Sequence, residues 1–156
     1  MTEKIPGGQL TRKGSGEKFY FVGDVVEVLV SNKDTAGEYA LVEMEFQPGS
    51  GAPPHTHDHE DEFFRVIDGE FDFHIGEQVI RAKTGDIVVA HRGDVRHFFV
   101  NPLERTGRLQ VGFVPGNFLD FFREMGAPLE AGPQPLDAPR MTAVAAKYGV
   151  TIFPPS

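Results

Sequence analysis

The sequence predicts an all-β fold, and three observations support this prediction. Short apolar segments follow one another between residues 19 and 114, and Gly, Pro or Asp residues separate them. No helical stretch lies between the segments, which argues against the alternating strands and helices of parallel sheets. Polar and apolar residues alternate within segments, as in strands with one solvent-facing side. Since 156 residues suit one domain, we expect a single antiparallel sandwich or barrel.

Eight segments are predicted to form strands. They are FYFVGDVVEVLV at 19–30, EYALVEMEF at 38–46, FFRVI at 63–67, EFDFHI at 70–75, QVIRA at 78–82, DIVVA at 86–90, RHFFV at 96–100 and RLQVGFV at 108–114. In the second segment, apolar residues at 40, 42, 44 and 46 share one face, and Glu43 and Glu45 lie on the other. Asp68-Gly69 is typical of a two-residue turn, so we expect a hairpin there.

Two short helices are predicted after the strands. In GNFLDFFREMGAP, Asn117 is the expected N-cap and Gly126 the expected stop. A proline-rich linker leads to APRMTAVAAKYGV, a second amphipathic helix that ends at Gly149. We expect both helices to pack outside the barrel or over one mouth. The predicted division is a polar N-terminal leader at 1–18, a β-barrel at 19–114 and a C-terminal helical extension at 115–156.

Composition and charge argue against several kinds of partner. Lys and Arg number 15 and Asp and Glu 23, so the formal charge is −8 and we expect no nucleic-acid partner. No run of 18 apolar residues occurs, and the leader lacks the apolar part of a signal peptide. We therefore expect a cytoplasmic protein with no membrane partner. Because cysteine is absent, any metal must be bound by nitrogen and oxygen ligands.

The histidines indicate where such a metal would bind. All six lie between residues 55 and 97. His55 and His57 share one face if their segment is extended, whereas His59 continues the row only if the segment stays straight. Glu62 shares a face with Phe64 and Val66, which predicts a polar site with apolar walls. Mixed imidazole and carboxylate ligands favour a divalent transition metal: Fe, Mn, Ni, Cu or Zn.

The spacing of these residues resembles two motifs of the cupin superfamily. The first motif is matched at every fixed position, by Gly49, His55, His57, Glu62 and Gly69. The second motif is matched by Gly85, Gly93, His97 and Asn101. His91 stands in place of a proline of the second motif, and one extra residue precedes His97. The C-terminal segment is similar to the extension of quercetinase-like single-domain cupins.

The resemblance implies a jelly-roll barrel with one metal ion. The ligands that it implies are His55, His57, Glu62 and His97, with Glu60 and Asp61 as competitors for the carboxylate position. A homodimer is a further expectation from the family. His59 is expected to be exposed or to support a ligand, and His91 to lie on the surface. His74 is expected to face away from the main core, and Arg96 to pair with Asp94 or with an anionic substrate.

Three functions are compatible with this site. We favour a dioxygenase acting on an aromatic, flavonol-like or otherwise enolisable small molecule, with Glu62 both as ligand and as base. Phe64, Phe99 and Phe113 are then walls of the substrate pocket, unless they serve only as core residues. The alternatives are a non-oxidative isomerase, lyase or decarboxylase that uses the same metal, and a small-ligand-binding cupin without catalysis.

Overall fold

The computed structural model describes residues 2–154 and consists mainly of short strands. The strands are β1 (Thr2–Ile5), β2 (Gly8–Thr11), β3 (Glu17–Phe21), β4 (Asp24–Val30), β5 (Ala40–Phe46), β6 (His55–His57), β7 (Asp61–Asp68), β8 (Glu70–Ile75), β9 (Gln78–Lys83), β10 (Ile87–Ala90), β11 (His97–Val100), β12 (Gly107–Val114), β13 (Ala127–Pro128) and β14 (Val150–Ile152). Two helices, α1 (Leu119–Met125) and α2 (Ala138–Lys147), and a 3-10 turn (Leu129–Ala131) follow β12. The predicted all-β class with short C-terminal helices is confirmed.

Two larger sheets form the body of the protein. One has the strand order β10-β7-β12-β5-β4-β3-β13, and the other has the order β14-β6-β11-β8-β9. A separate hairpin of β1 and β2 lies within the predicted leader. From β5 to β12 the chain passes repeatedly between the two larger sheets, and the pairings along it are antiparallel. This is the jelly-roll arrangement that the sequence implies.

The hairpin predicted at Asp68-Gly69 is wrong. β7 belongs to the seven-stranded sheet and β8 to the five-stranded sheet, so the strands on either side of this turn are not paired. Gly69 has a φ of 95°, which is the conformation that a sharp turn at glycine uses. The chain uses this turn to cross from one sheet to the other.

Other differences from the prediction concern strand boundaries. The segment at 19–30 forms two strands, β3 and β4, because the chain turns at Val22-Gly23. The short strands β6, β13 and β14 were not predicted, and each has only two or three residues. Strands of this length depend on their neighbours more than on their own propensity. The division of the chain at residues 18 and 114 stays a prediction.

The inner faces of the two sheets meet in a core rich in phenylalanine. Phe64 of β7 contacts Phe73 of β8 with ring centroids 5.2 Å apart, and it contacts Phe99 of β11 at 5.3 Å. Phe46 of β5 also contacts Phe99, at 5.2 Å and nearly at right angles. All four rings are buried. Contacts of this geometry are favourable between aromatic rings, so they hold the two sheets together.

The two helices largely follow the prediction. α1 buries Leu119, Phe121, Phe122 and Met125 against the sandwich. Asn117 is not its N-cap, because the cap position is Phe118 and no side chain caps the helix there. α2 begins after Asp137, whose side chain accepts a hydrogen bond from the Arg140 N–H at 3.1 Å. Neither helix of residues 2–154 combines the length and the hydropathy needed to span a bilayer.

Candidate metal centre

Three histidines and one glutamate meet between the two sheets. His55 and His57 lie on β6, Glu62 lies near the start of β7, and His97 is the first residue of β11. One ligand atom from each of the four lies within 4.8 Å of the others, and all four residues are buried. These are the four residues that the cupin motifs imply as ligands, and as a group they could hold a metal ion.

Strand geometry explains how the four side chains come together. His55 and His57 are two residues apart, so both point into the sandwich from one strand. β11 is a neighbour of β6, and the register places His97 opposite His55. Glu62 reaches the histidines from the other sheet. An ion bound by all four side chains would therefore link the two sheets.

The Nε2 atoms of the three histidines converge on one carboxylate oxygen. Oε1 of Glu62 lies 2.6 Å from Nε2 of His57 and 3.1 Å from Nε2 of His97. It lies 3.5 Å from Nε2 of His55. The imidazole rings of His57 and His97 are nearly parallel, at 12°, with centroids 5.5 Å apart. Three imidazole nitrogens and one carboxylate oxygen are thus close together, and these are atoms that bind a metal ion in proteins.

The second nitrogen of two histidines shows which ring atom is available for a metal. Nδ1 of His55 contacts the Pro53 carbonyl oxygen at 2.7 Å, and Nδ1 of His57 contacts Oε1 of Glu60. Carbonyl and carboxylate oxygens only accept hydrogen bonds, so both Nδ1 atoms are donors. Nε2 of His57 is buried without a hydrogen-bond partner. The donor set and this unpartnered nitrogen fit a transition-metal ion.

Burial and charge oppose each other within the cluster. Burial lowers the pKa of His55. Burial also acts to lower the pKa of His57, but Glu62 and Glu60 outweigh it and raise that pKa to about 10. Burial would raise the pKa of Glu62, yet the charge of His57 and hydrogen bonds from His55 and His97 hold it well below its usual value. Glu62 is therefore ionised, as a carboxylate ligand must be.

Glu60 lies beside the four-residue cluster and contacts one of its histidines. The sequence left Glu60 as an alternative to Glu62 for the carboxylate ligand. In the structure Glu60 lies outside the group of four residues that could hold a metal ion. Its carboxylate contacts Nδ1 of His57 instead, and its exposed fraction is only 3%. Asp61, the other competitor, accepts hydrogen bonds from the backbone and guanidinium of Arg92. The only indication in the sequence was that Glu60 follows His57 by three residues. In a turn, that spacing does not determine where a side chain points.

The extra residue of the second cupin motif lies in an exposed loop. Residues 91–96 precede β11 and are exposed, so the insertion leaves His97 facing inward. The loop is fixed at its base, because the Gly93 N–H donates to the His57 carbonyl at 2.9 Å. The guanidinium of Arg96 lies 3.5 Å from the ring centroid of Phe153, a cation–π contact in place of the pairing expected with Asp94.

The other predicted residues divide between the surface and the core. His59 and His91 are exposed. His74 stacks on Phe98, with ring centroids 4.1 Å apart, and both alternate with inward-facing residues. The three proposed pocket residues are all buried on the inner faces of their strands: Phe64, Phe99 and Phe113. Phe113 pairs with Glu62 in the strand register.

A cavity of about 270 Å³ lies next to the four-residue cluster. Its lining includes Glu60 and Phe118, and both of these side chains contact His57. The ring of Phe118 meets that of His57 nearly at right angles, with centroids 4.7 Å apart. Lys147 and Tyr148 from the end of α2 form another wall. Aromatic and charged side chains therefore surround the cavity.

Comparisons with known proteins agree with the fold. The Cupin domain family model matches residues 42–112, which include the whole cluster. Quercetin 2,3-dioxygenase of Bacillus subtilis (strain 168) is 26% identical over 134 residues. That alignment covers 83% of this chain and 39% of the relative, so the chain spans less than half of the relative's length.

Two solved structures illustrate the likeness of the fold. KdgF from Halomonas sp. has a TM-score of 0.61 and 21% identity, over 69% of this chain and 94% of that one. A predicted oxalate decarboxylase from Thermotoga maritima has a TM-score of 0.57 and 20% identity, over 64% and 90%. At such identities the likeness establishes the fold alone. Together with the family match at residues 42–112, it supports a cupin-type domain in this chain.

Proposed function

We propose that the protein is a metal-dependent dioxygenase that acts on an aromatic, flavonol-like or otherwise enolisable small molecule. The observation that carries the proposal is the convergence of three imidazole Nε2 atoms on Oε1 of Glu62. In this proposal His55, His57, Glu62 and His97 hold one divalent ion of Fe, Mn, Ni, Cu or Zn. The similarity to quercetin 2,3-dioxygenase supports the choice of reaction.

A bound ion of this kind supplies Lewis acidity and open coordination positions to the reaction. The protein supplies a base and a dry environment. We propose Glu62 as the base, because its carboxylate would accept the proton that an enol or phenol loses once a bound ion has made that group more acidic. The side chains of His57, Glu62 and His97 are only 1%, 6% and 5% exposed, which keeps water away from the reacting atoms.

The aromatic surroundings support an apolar, planar substrate. Phe64 and Phe99 lie two residues beyond Glu62 and His97 on the inner faces of their strands, and Phe113 is paired with Glu62. We propose these three rings as walls of the substrate pocket. A flat aromatic molecule can stack on such rings, whereas a sugar would leave its hydroxyl groups without partners.

Metal analysis and oxygen uptake test the proposal together. We expect about one transition-metal ion per purified wild-type chain, and its loss in His57→Ala and His97→Ala. Metal-loaded wild-type protein should consume oxygen with flavonols, diketones or catechol-like compounds. His91→Ala is the matched control, because His91 is exposed and lies outside the cluster. Metal content that survives both ligand substitutions would refute the site, and background oxygen uptake with every substrate would refute the reaction.

A non-oxidative reaction is the second candidate. Phe64, Phe73 and Phe99 are buried and in mutual contact, so they fill much of the interior beside the cluster. This packing favours a substrate smaller than a flavonol, and small enolisable acids also undergo isomerisation, elimination or decarboxylation. Turnover of such an acid under strict anoxia would support the second candidate and would exclude dioxygenation as its route.

A further inference from the structure

We propose that Glu60 is a positioning residue that holds His57 in the tautomer and orientation required for metal binding. This inference rests on the proposed metal centre, and it does not depend on the reaction. Nδ1 of His57 donates a hydrogen bond to Oε1 of Glu60. His57 is only 1% exposed and Glu60 only 3% exposed. The contact therefore lies inside the protein, where solvent does not compete with it.

The turn between β6 and β7 directs Glu60 inward. Asp58 and His59 are exposed in this turn, whereas Glu60 is buried. The Asp58 N–H donates to the Gly149 carbonyl at 2.9 Å, and the ring of His59 lies against Gly149. These contacts fix the turn against the segment that follows α2. Glu60 then reaches back to the strand that carries His57.

The chemistry of the contact determines which nitrogen of His57 is free. A carboxylate only accepts, so it keeps a proton on Nδ1, and Nε2 is the nitrogen that gives up its proton to bind a metal. Nε2 faces Oε1 of Glu62 at 2.6 Å without a hydrogen bond between them. A flip of the ring would replace Nδ1 by a carbon atom and would break the contact with Glu60. The negative charge of Glu60 also makes the imidazole a stronger electron donor.

Other contacts hold the position of His57 but do not select its tautomer. The ring of Phe118 meets the imidazole edge-on, and the carbonyl of His57 accepts from the Gly93 N–H at 2.9 Å. A ring edge and a backbone bond are the same for both tautomers of the side chain. The choice of nitrogen therefore depends on Glu60.

Binding of Co²⁺ to the purified, metal-free protein tests the inference. We expect Glu60→Ala to weaken Co²⁺ binding by about 10- to 100-fold, the usual effect of removing a partner that orients a ligand. The visible absorption of bound Co²⁺ should change, because the orientation of His57 is lost. Glu60→Gln keeps an acceptor oxygen but no charge, so we expect a smaller loss of about three- to tenfold. Asp58→Asn, which removes an equal but exposed charge from the same turn, should leave the affinity unchanged.

The possible outcomes separate this inference from the metal centre itself. Wild-type protein that takes up no Co²⁺ would overturn both. Wild-type binding with unchanged affinity and spectrum in Glu60→Ala and Glu60→Gln would overturn the role of Glu60 alone. If Glu60→Ala does not fold, Glu60→Gln decides, and an affinity within about twofold of wild type would overturn the inference.

Discussion

Asn101 illustrates how a buried polar side chain can serve the fold although it belongs to a family motif. It is completely buried, and its Nδ2 donates to the carbonyls of Phe46 at 3.1 Å and Arg105 at 2.8 Å. Its Oδ1 accepts from the Leu103 N–H at 3.0 Å. One side chain thus satisfies polar backbone groups of two separate segments. At the residue scale, position in a cupin motif does not by itself mean contact with a metal.

We predict that Asn101→Ala lowers the free energy of unfolding by about 2–4 kcal/mol, because buried carbonyl and N–H groups lose their partner. Urea denaturation of the metal-free protein measures this loss. Co²⁺ affinity, measured where the variant is folded, should stay the same. Asn117→Ala is the control, because Asn117 is exposed. A loss below about 1 kcal/mol for Asn101→Ala would contradict the proposed bridging role.

Asp24 gives a second prediction at this scale, because burial raises its pKa despite hydrogen bonds from Ser50 and Gln47. The folded state then holds the Asp24 proton more tightly than the unfolded state, so protonation of Asp24 stabilises the fold as pH falls. Asp24→Asn cannot titrate. The free energy of unfolding of wild type, relative to that of Asp24→Asn, should therefore rise between pH 7 and pH 4. A difference that is constant with pH, or that falls, would contradict this assignment.

At the scale of elements, β6 is the strand on which the proposed metal centre depends most. It has three residues, two of which are proposed ligands, and it lies between β11 and β14. β14 pairs Val150 with His57 and Ile152 with His55. Gly149 links α2 to β14 with a φ of 73°, and a Cβ there would lie 2.6 Å from the His59 ring. The segment after α2 therefore supports the ligand strand.

We predict that Gly149→Ala destabilises the protein in two ways, through its positive φ and through a clash with His59. Gly49→Ala is the matched control, because Gly49 has a φ of 76° but open space around it. The control substitution should lower the free energy of unfolding by about 1–2 kcal/mol. Gly149→Ala should lower the free energy of unfolding by about 1–3 kcal/mol more than the control does, as measured by urea denaturation. The double variant with His59→Ala should return to the level of the control, and equal effects of the two single glycine variants would refute the clash.

The parts of the structure that could be predicted from the sequence are those that depend on local spacing. His55 and His57 alternate along one strand, and a fixed spacing leads to Glu62, so the cluster was accessible without a structure. The sheet to which β8 belongs could not be predicted in this way. Asp68-Gly69 forms a sharp turn whether the next strand pairs with β7 or crosses to the other sheet. β14 and the direction of Glu60 were also not accessible, since both depend on contacts between distant segments.

On the scale of the whole molecule, the proposed metal centre connects the two larger sheets. His55, His57 and His97 belong to the five-stranded sheet and Glu62 to the seven-stranded sheet. Unfolding separates the sheets and destroys the site, so an ion that binds only the folded state stabilises that state. The homodimer and the cytoplasmic location stay predictions.

We predict that Co²⁺ at a hundredfold excess over its Kd stabilises the protein by about 2.7 kcal/mol. For a chain of this size, that corresponds to a rise of about 5–10 °C in Tm. Differential scanning fluorimetry with and without the metal measures the shift. His57→Ala and His97→Ala should show a much smaller shift than wild type, while His91→Ala should match wild type. Equal shifts in all four proteins would mean that Co²⁺ acts elsewhere.

The pairing of β14 with β6 also has a consequence for biosynthesis. The ribosome makes His55 and His57 long before it makes Val150–Ile152, the strand that covers the edge of β6. Until then the nascent chain carries the ligands on a three-residue strand with one side unpaired. Contacts between segments so far apart in sequence form late. We therefore expect metallation to follow translation through residue 152, so that the ion is selected from whatever the cell offers at that time.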